Sequence, residues 1–585
     1  MINIRKLEKE LWEAADELRA NSKVTSQEYC MPVLGLIFLR YAYSRFKFVE
    51  AEVMKDRPMR GGKVLPVEAE DFHKKSAIFL PEQARYDCLL NLPDGENVGE
   101  AINLAMTLIE DQSAQLKGIL PKNYTILQND LLRELLRIFN NSALNELKDD
   151  VIGRIYEYFL NKFSPAVASD DGVFFTPKSL VRMIVNIIEP THGTVLDPAC
   201  GSGGMFVSSA DFIEHSEMTF YGQEKVEYNA KLCIMNMAVH GLNAAIKSGD
   251  GANSFYHDAF NLEGSCDYVM ANPPFNVDKV KSETCQNAGR LPFGLPSVNK
   301  EKEIGNGNYL WISYFYAYLN EHGRAGFVMA ASATDSQGKD KDIRQKLVET
   351  GHVDVILSVA NNFFYTKSLP CTLWFFDKGK RAENLDKILF LDARNYYTVV
   401  DKTLNEWNAW QMKNLNAVVW LYRGETEKYR ALLAEYRSVL CTQDFDKKIA
   451  DLAEREETLK KEAKEAVENA PRREKKQTQT KYDELLSALS AEQETARQAK
   501  WLFDKFGEGE YRDVLGLCRL ADRKEVAEKA FTLTPGAYVG VEETPDDGVD
   551  FSARMKEIHE QLLALQKESD SLMDTISANM KELGL

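Results

Sequence analysis

A chain of 585 residues has room for about three or four domains, and 44% hydrophobic with 28% charged residues are the proportions of a soluble globular protein. Its net charge of −17 argues against unaided, broad-surface gripping of nucleic acid. Nine cysteines without a C-x-x-C pair argue against a disulfide-stapled secreted chain and for reduced thiols in a cytoplasmic compartment.

Residues 1–150 read as helical. Leu7, Leu11, Ala14, Ala15 and Leu18 recur at helical spacing, as do the apolar positions of Leu131–Phe139. Polar breaks such as Arg60-Gly61-Gly62-Lys63 separate the helices. The first six residues lack the apolar core of a signal peptide. Met31–Leu39 is far too short to span a membrane and reads as a buried helix.

From 151 to 395 the pattern becomes strand, turn, helix, repeated, which predicts an α/β fold with a doubly wound, mostly parallel sheet. Thr194–Asp197 reads as a short strand entering the turn Asp197-Pro198-Ala199-Cys200-Gly201-Ser202-Gly203-Gly204, with a helix from Met205 to Phe212 behind it. Glycines in such a turn allow positive φ and close approach of backbone to a ligand, and Asp197 stands where it can hold a cationic amine. The next strand ends at Tyr221-Gly222-Gln223-Glu224, and Glu224 can take both hydroxyls of a ribose, roughly 20 residues on as in nucleoside-binding folds. Asp267–Ala271 reads as a buried strand, with Asn272-Pro273-Pro274-Phe275 at its carboxyl end. That tetrapeptide suits an exocyclic amino group on a flat base. The Asn272 amide oxygen and the Pro273 carbonyl can each accept one N–H, while Phe275 offers a stacking face. The polar stretch Val277–Asn308 reads as a long base- or DNA-contacting loop. Gly326–Ala330, Val353–Leu357 and Cys371–Phe376 look like further strands, the last a candidate antiparallel edge.

Residues 396–440 read as a connecting segment, and 441–585 as a helical and coiled-coil region for partner binding. Asp444–Lys500 has the Glu, Lys, Ala and Gln content of exposed helices. Met555, Ile558, Leu562, Leu565, Ser569, Leu572, Ile576, Asn579 and Leu583 follow alternating three- and four-residue steps, the pattern of a coiled-coil seam.

With these motifs in this order, the chain resembles the N6-adenine DNA methyltransferases of the gamma class, and among them the modification (M) subunits of type I restriction-modification systems. The resemblance runs over nearly the whole length. It implies a Rossmann-like S-adenosylmethionine-dependent methyltransferase domain between an all-α N-terminal domain and a helical C-terminal region. On the family's pattern Phe175, Thr176 and Pro177 cover the cofactor's methionine end and Asp197 binds its ammonium. Pro198, Gly201, Ser202, Gly203 and Gly204 form the close-approach loop, and Glu224 holds the ribose. Asp250 and Asn253 compete for the adenine contact, with Phe255 flanking the ring. Asn272, Pro273, Pro274 and Phe275 are the implied catalytic set, acting on an adenine flipped out of duplex DNA. The implied partners are double-stranded DNA, a specificity (S) subunit held by the C-terminal helices, a second M subunit and, in the cleaving complex, a restriction (R) subunit. Borrowed specificity would also account for the acidic balance. No metal is called for, because the sulfonium already activates the methyl group, and the eight histidines show no ligand spacing. Other readings stay open: methylation of a glutamine side chain or of RNA adenine, whose planar N–H₂ groups are alike, and a non-catalytic assembly subunit that binds cofactor.

Overall fold

The structure is a computed structural model, and it describes all residues except 1–3, 56–58, 61–62, 65–66, 76, 142–149, 168–175, 211–217, 365–368, 402–403, 542–550 and 583–585. Two compact units are present, Met1–Val539 and Gly540–Leu585.

The centre of the first unit is a nine-stranded sheet. In chain order its strands are β1 (Gly193–Asp197), β2 (Met218–Glu224), β3 (Ala244–Ser248), β4 (Cys266–Ala271), β5 (Leu319–Ala330), β6 (Val353–Ser358), β7 (Cys371–Asp377), β8 (Lys387–Asp392) and β9 (Cys518–Asp522). In space they run β9-β8-β6-β7-β5-β4-β1-β2-β3. Neighbours from β3 to β5 are parallel, β7 is antiparallel to both β5 and β6, β8 is parallel to β6, and β9 closes the edge antiparallel to β8.

Side-chain alternation divides the core into two layers. Val195, Met270, Val328, Leu357 and Leu373 face helices Lys178–Ile188, Gly204–Ala210 and Ala409–Arg423. Leu196, Val269, Phe327, Ile356 and Trp374 face helices Asn308–Tyr318 and Lys339–Glu349. Both faces are covered, so the central strands are buried throughout and mostly apolar: all seven residues of β7 and all six of β6 are buried. The helix Gly204–Ala210 matches the turn-to-helix passage read from the sequence as far as the chain is described.

The N-terminal helices build a separate core. Ile4–Ala20, Ser26–Lys55, Val98–Asp111, Asn129–Phe139 and Asp150–Val167 bury Leu11, Leu34, Ile102, Leu135 and Phe159 together. They reach the helical layer beside the sheet through Leu232, Met235 and Val239 of the helix Glu227–Val239. Met31–Leu39 lies inside Ser26–Lys55, and among the described residues no helix is long and apolar enough to cross a membrane. Asp150–Val167 shares this core, so the helical block runs past residue 150.

Several elements differ from the expectation. Cys371–Phe376 is not an edge: β7 lies inside the sheet, where its two apolar faces require it. The antiparallel edge comes instead from Cys518–Asp522, within a stretch expected to be purely helical. Residues 396–440 are no mere connection. After the antiparallel strand pair Thr398–Asp401 and Leu404–Glu406, the helices Ala409–Arg423 and Thr426–Leu440 bury Leu415, Val418 and Leu433 in the sheet's own core. Val277–Asn308 carries a two-residue ladder, Val280–Lys281 against Glu303–Ile304, and a short helix, Ser282–Ala288.

Phe445–Asn469 and Lys475–Phe506 pair antiparallel as a helical hairpin, tied by Lys448–Glu492 at 2.8 Å and Lys500–Asp446 at 2.8 Å. In the second unit the described element is one helix, Phe551–Glu582, along which Met555, Leu562, Leu565, Leu572 and Ile576 are exposed. Leu583 of the expected seam lies outside the described residues.

Candidate active site

The strand order reverses between β1 and β4: the chain leaves β1 toward β2 and β3, then returns to build β4 and β5 on the other side. Open α/β sheets bind ligands at such a point, outside the carboxyl ends of the strands. Here β1 ends at Asp197 and β4 ends just before Asn272, and a cavity of about 640 Å³ lies where both exits meet.

The turn after β1 forms one wall. Gly201 and Gly203 have φ of 51° and 80°. A Cβ at Gly203 would stand 2.8 Å from Cys233 Sγ, so glycine is needed there for both conformation and space. Cys200 N–H donates to the Gln223 carbonyl at 3.1 Å, fastening the turn to β2. Glu224, the last residue of β2, accepts the Gly201 N–H at 3.0 Å and the Val226 N–H at 2.8 Å. Asp197, 2% exposed, accepts the Ala199 N–H at 3.0 Å. Burial pushes the Asp197 carboxyl up to about 8, against the Ala199 bond and helped by the nearby Glu224 charge. Burial likewise raises Glu224, opposed by the Val226 and Gly201 N–H groups and the Asn229 amide. Among the described residues neither carboxyl has a cationic partner, so buried Asp197 and half-buried Glu224 offer hydrogen-bond acceptors suited to a ligand bearing an ammonium and hydroxyls. S-adenosylmethionine has both.

Opposite lies the tetrapeptide. Asn272 Nδ2 donates to Thr176 Oγ1 at 3.0 Å, while its buried Oδ1 has no hydrogen-bond partner among the described residues. Pro273 is buried, Pro274 exposed and Phe275 half-buried, its ring edge-on to Phe364 at 6.5 Å. Phe255 packs on Trp311, ring centres 4.5 Å apart, and Asn253 Oδ1 accepts the Phe255 N–H at 3.2 Å.

Of the residues singled out from sequence, Thr176, Asp197, Pro198, Gly201, Ser202, Gly204, Glu224, Asn253, Phe255 and Asn272–Phe275 all line this one cavity. Gly203 lies behind the wall, supporting the turn. Pro177 is the N-cap of Lys178–Ile188 and lines nothing. Asp250 is exposed and away from the wall, so of the two competitors Asn253 is the one at the cavity. Phe175 lies outside the described residues.

Sequence reasoning missed Asn229, Ser254, Trp311 and Phe364, which also line the cavity. Trp311 and Asn229 sit on helices, where their spacing reads only as packing. Ser254 belongs to a buried network: Gln223 Nε2 donates to Ser254 Oγ at 2.9 Å, and Ser254 Oγ donates to the Pro198 carbonyl at 2.6 Å. Gln223 Oε1 accepts the Ala259 N–H at 3.0 Å. The network pins the loop after β3 against the exit of β1.

The sheet order, with its antiparallel strand β7 and covering helices, is that of the S-adenosylmethionine-dependent methyltransferase fold. The family model for N-6 DNA methylases matches residues 147–461, and that for the HsdM N-terminal domain matches 7–139. The MjaIX methylase subunit of a type I restriction enzyme, from Methanocaldococcus jannaschii, is 30% identical across 99% of this chain and 91% of its own length. The HindI methylase subunit of Haemophilus influenzae is 27% identical across 86% and 98%. Among solved structures, a type I restriction-modification methyltransferase subunit from Streptococcus thermophilus has the same fold, with a TM-score of 0.64 at 17% identity, covering 92% of this chain and all of that one. The chain belongs to the N-6 DNA methylases, in the branch of type I restriction-enzyme methylase subunits.

Proposed function

We propose that this chain methylates the N6 of an adenine flipped out of double-stranded DNA, using S-adenosylmethionine, at sites chosen by a separate specificity subunit. The observation that carries the reading is the Asn272 amide: its nitrogen is engaged by Thr176, its oxygen has no donor among the described residues, and it shares one cavity with the glycine turn. In this reading Asp197 takes the cofactor's ammonium, Glu224 the ribose hydroxyls, and Asn253 with Phe255 the adenine. When bound, the cofactor supplies a methyl group already activated on a sulfonium.

The chain's own residues act on the amine. An adenine amino group is a poor nucleophile because its lone pair is delocalised into the ring. Asn272 Oδ1 and the Pro273 carbonyl each accept one N–H, which draws the hydrogens out of plane and localises that lone pair. The same two acceptors stabilise the positive charge that develops on nitrogen, and the surplus N–H proton is then released to solvent. Thr176 fixes the amide orientation, so the acceptor is in place before the base arrives. Phe275 stacks on the flipped base.

The exposed apolar residues of Phe551–Glu582 support docking of this helix on a specificity subunit. A second methylase subunit and a restriction subunit would complete the assembly. The test is single-molecule sequencing of DNA from cells that express the chain with its neighbouring genes. N6-methyladenine at a two-part site, absent with Asn272→Ala, is the expected result. Unchanged adenine methylation in that variant would refute the assignment and turn attention to RNA adenine or protein glutamine.

A further inference from the structure

The backbone just beyond Phe275 takes a course that L-residues rarely follow. Asn276 and Lys279 are both left-handed, each with φ of 55°. Non-glycine residues stay in that region only where their surroundings hold them.

At Asn276 the holder is Asn308, 3% exposed and first in the helix Asn308–Tyr318. Asn308 Oδ1 accepts the Asn276 N–H at 2.8 Å, and Asn308 Nδ2 donates to Asn276 Oδ1 at 2.9 Å. Asn306 Nδ2 donates to the same Asn276 oxygen at 3.0 Å, and its own Oδ1 accepts the Asn308 N–H at 2.9 Å. Gly307 N–H donates to the Val277 carbonyl at 2.8 Å. Main chain and side chain of Asn276 are therefore both clamped.

What the clamp fixes is the left-handed backbone at Asn276, through its N–H bond to Asn308 Oδ1, and with it the place from which the preceding residue, Phe275, projects. The clamping helix also carries Trp311 one turn later, so two rings of the cavity wall are referred to one rigid element.

We propose that Asn308 is a positioning residue for the target base: by holding Asn276 left-handed, it sets the Phe275 ring where the base stacks. This rests on the reading of Phe275 as the stacking face. The test uses the chain in complex with its specificity subunit. It measures kcat and KM for duplex DNA, the affinity for S-adenosylhomocysteine, and the thermal midpoint.

Asn308→Ala and Asn276→Val should each lower kcat/KM for DNA by about ten- to a hundredfold, the scale of a misplaced reacting group. S-adenosylhomocysteine affinity should stay within about twofold, since the cofactor wall is untouched. Asn276→Gly should remain within about threefold of the parent, because glycine is left-handed without cost and keeps the bond to Asn308 Oδ1. On a Phe275→Ala background, Asn308→Ala should add less than about twofold, the mark of two residues acting through one ring.

Parent-like rates in Asn308→Ala or Asn276→Val would overturn the proposal. So would losses that multiply with Phe275→Ala, or a matching fall in S-adenosylhomocysteine affinity. Should Asn308→Ala not fold, the Asn276→Gly and Asn276→Val pair decides. A fully active Phe275→Ala would remove the stacking reading and this proposal with it. An impaired Phe275→Ala beside a normal Asn308→Ala would overturn the positioning alone.

Discussion

Cofactor affinity should depend steeply on pH, through Asp197. Its carboxyl is pushed from 3.8 to about 8, chiefly by burial. An ammonium ligand needs the carboxylate, so apparent affinity follows the ionised fraction. That fraction is about one in a hundred at pH 6, one in eleven at pH 7 and one half at pH 8. S-adenosylhomocysteine, which keeps the ammonium, should therefore bind about fiftyfold more tightly at pH 8 than at pH 6, a gain of roughly 2.3 kcal/mol. Binding at pH 7 should release about 0.9 proton, countable by calorimetry in buffers of different ionisation enthalpy. Glu224, also raised, acts in the same direction. Asp197→Asn should bind more weakly and lose most of the slope. The stability of the ligand-free chain moves the opposite way. A carboxyl raised in the folded state contributes stability that is fully present below pH 3.8 and is lost progressively between there and about pH 8. The parent's thermal midpoint should accordingly fall relative to that of Asp197→Asn from about pH 5 to 8 and level off above. A flat affinity from pH 6 to 8, or an equal slope in Asp197→Asn, would refute the reasoning.

Asn272→Ala should cut methyl transfer by about 10²- to 10³-fold, measured with labelled S-adenosylmethionine, while S-adenosylhomocysteine affinity stays within about twofold. Thr176→Val frees the amide that Thr176 Oγ1 holds, and should cost about 1–2 kcal/mol in kcat, read from methyl-transfer rates at saturating cofactor. Gly203→Ala forces a Cβ to 2.8 Å from Cys233 Sγ at φ 80°, so urea unfolding should report a loss of about 1–3 kcal/mol. A chain ended at Val539 should keep its unfolding midpoint and cofactor affinity, because Met1–Val539 is compact by itself, yet fail to co-purify a specificity subunit.

Much of the site is legible in sequence because its chemistry is local. The turn Asp197–Gly204, Glu224 and Asn272–Phe275 each occupy a strand exit, and a parallel sheet brings those exits to one edge. Asn253 could not be chosen over Asp250 from spacing alone. The decision lies in a short turn at Asp250–Ala252 that leaves the aspartate exposed. Trp311 and Asn229 were hidden because a wall residue on a helix has the same periodicity as a core residue. The fold was least legible where pairing is long-range. Cys518–Asp522 is a five-residue strand between helices, and nothing local says that it joins β8. Likewise β7 reads as a strand, but its antiparallel insertion between β5 and β6 is set by topology and not by its side chains.

That late edge strand has a consequence for synthesis. β8 is finished at Asp392, but its partner β9 begins at Cys518, about 125 residues later. At about 5–20 residues per second, the ribosome leaves the open rim of the sheet unpaired for roughly 6–25 s. An unpaired rim invites pairing with other nascent chains. Its cover comes in two parts, the β9 ladder and then Tyr538, whose ring stacks on Phe390 at 3.8 Å. The Phe551–Glu582 helix emerges directly after that cover is complete. A product terminated before Cys518 thus lacks both a sealed sheet and the final helix, so such incomplete chains expose a sticky rim to quality control.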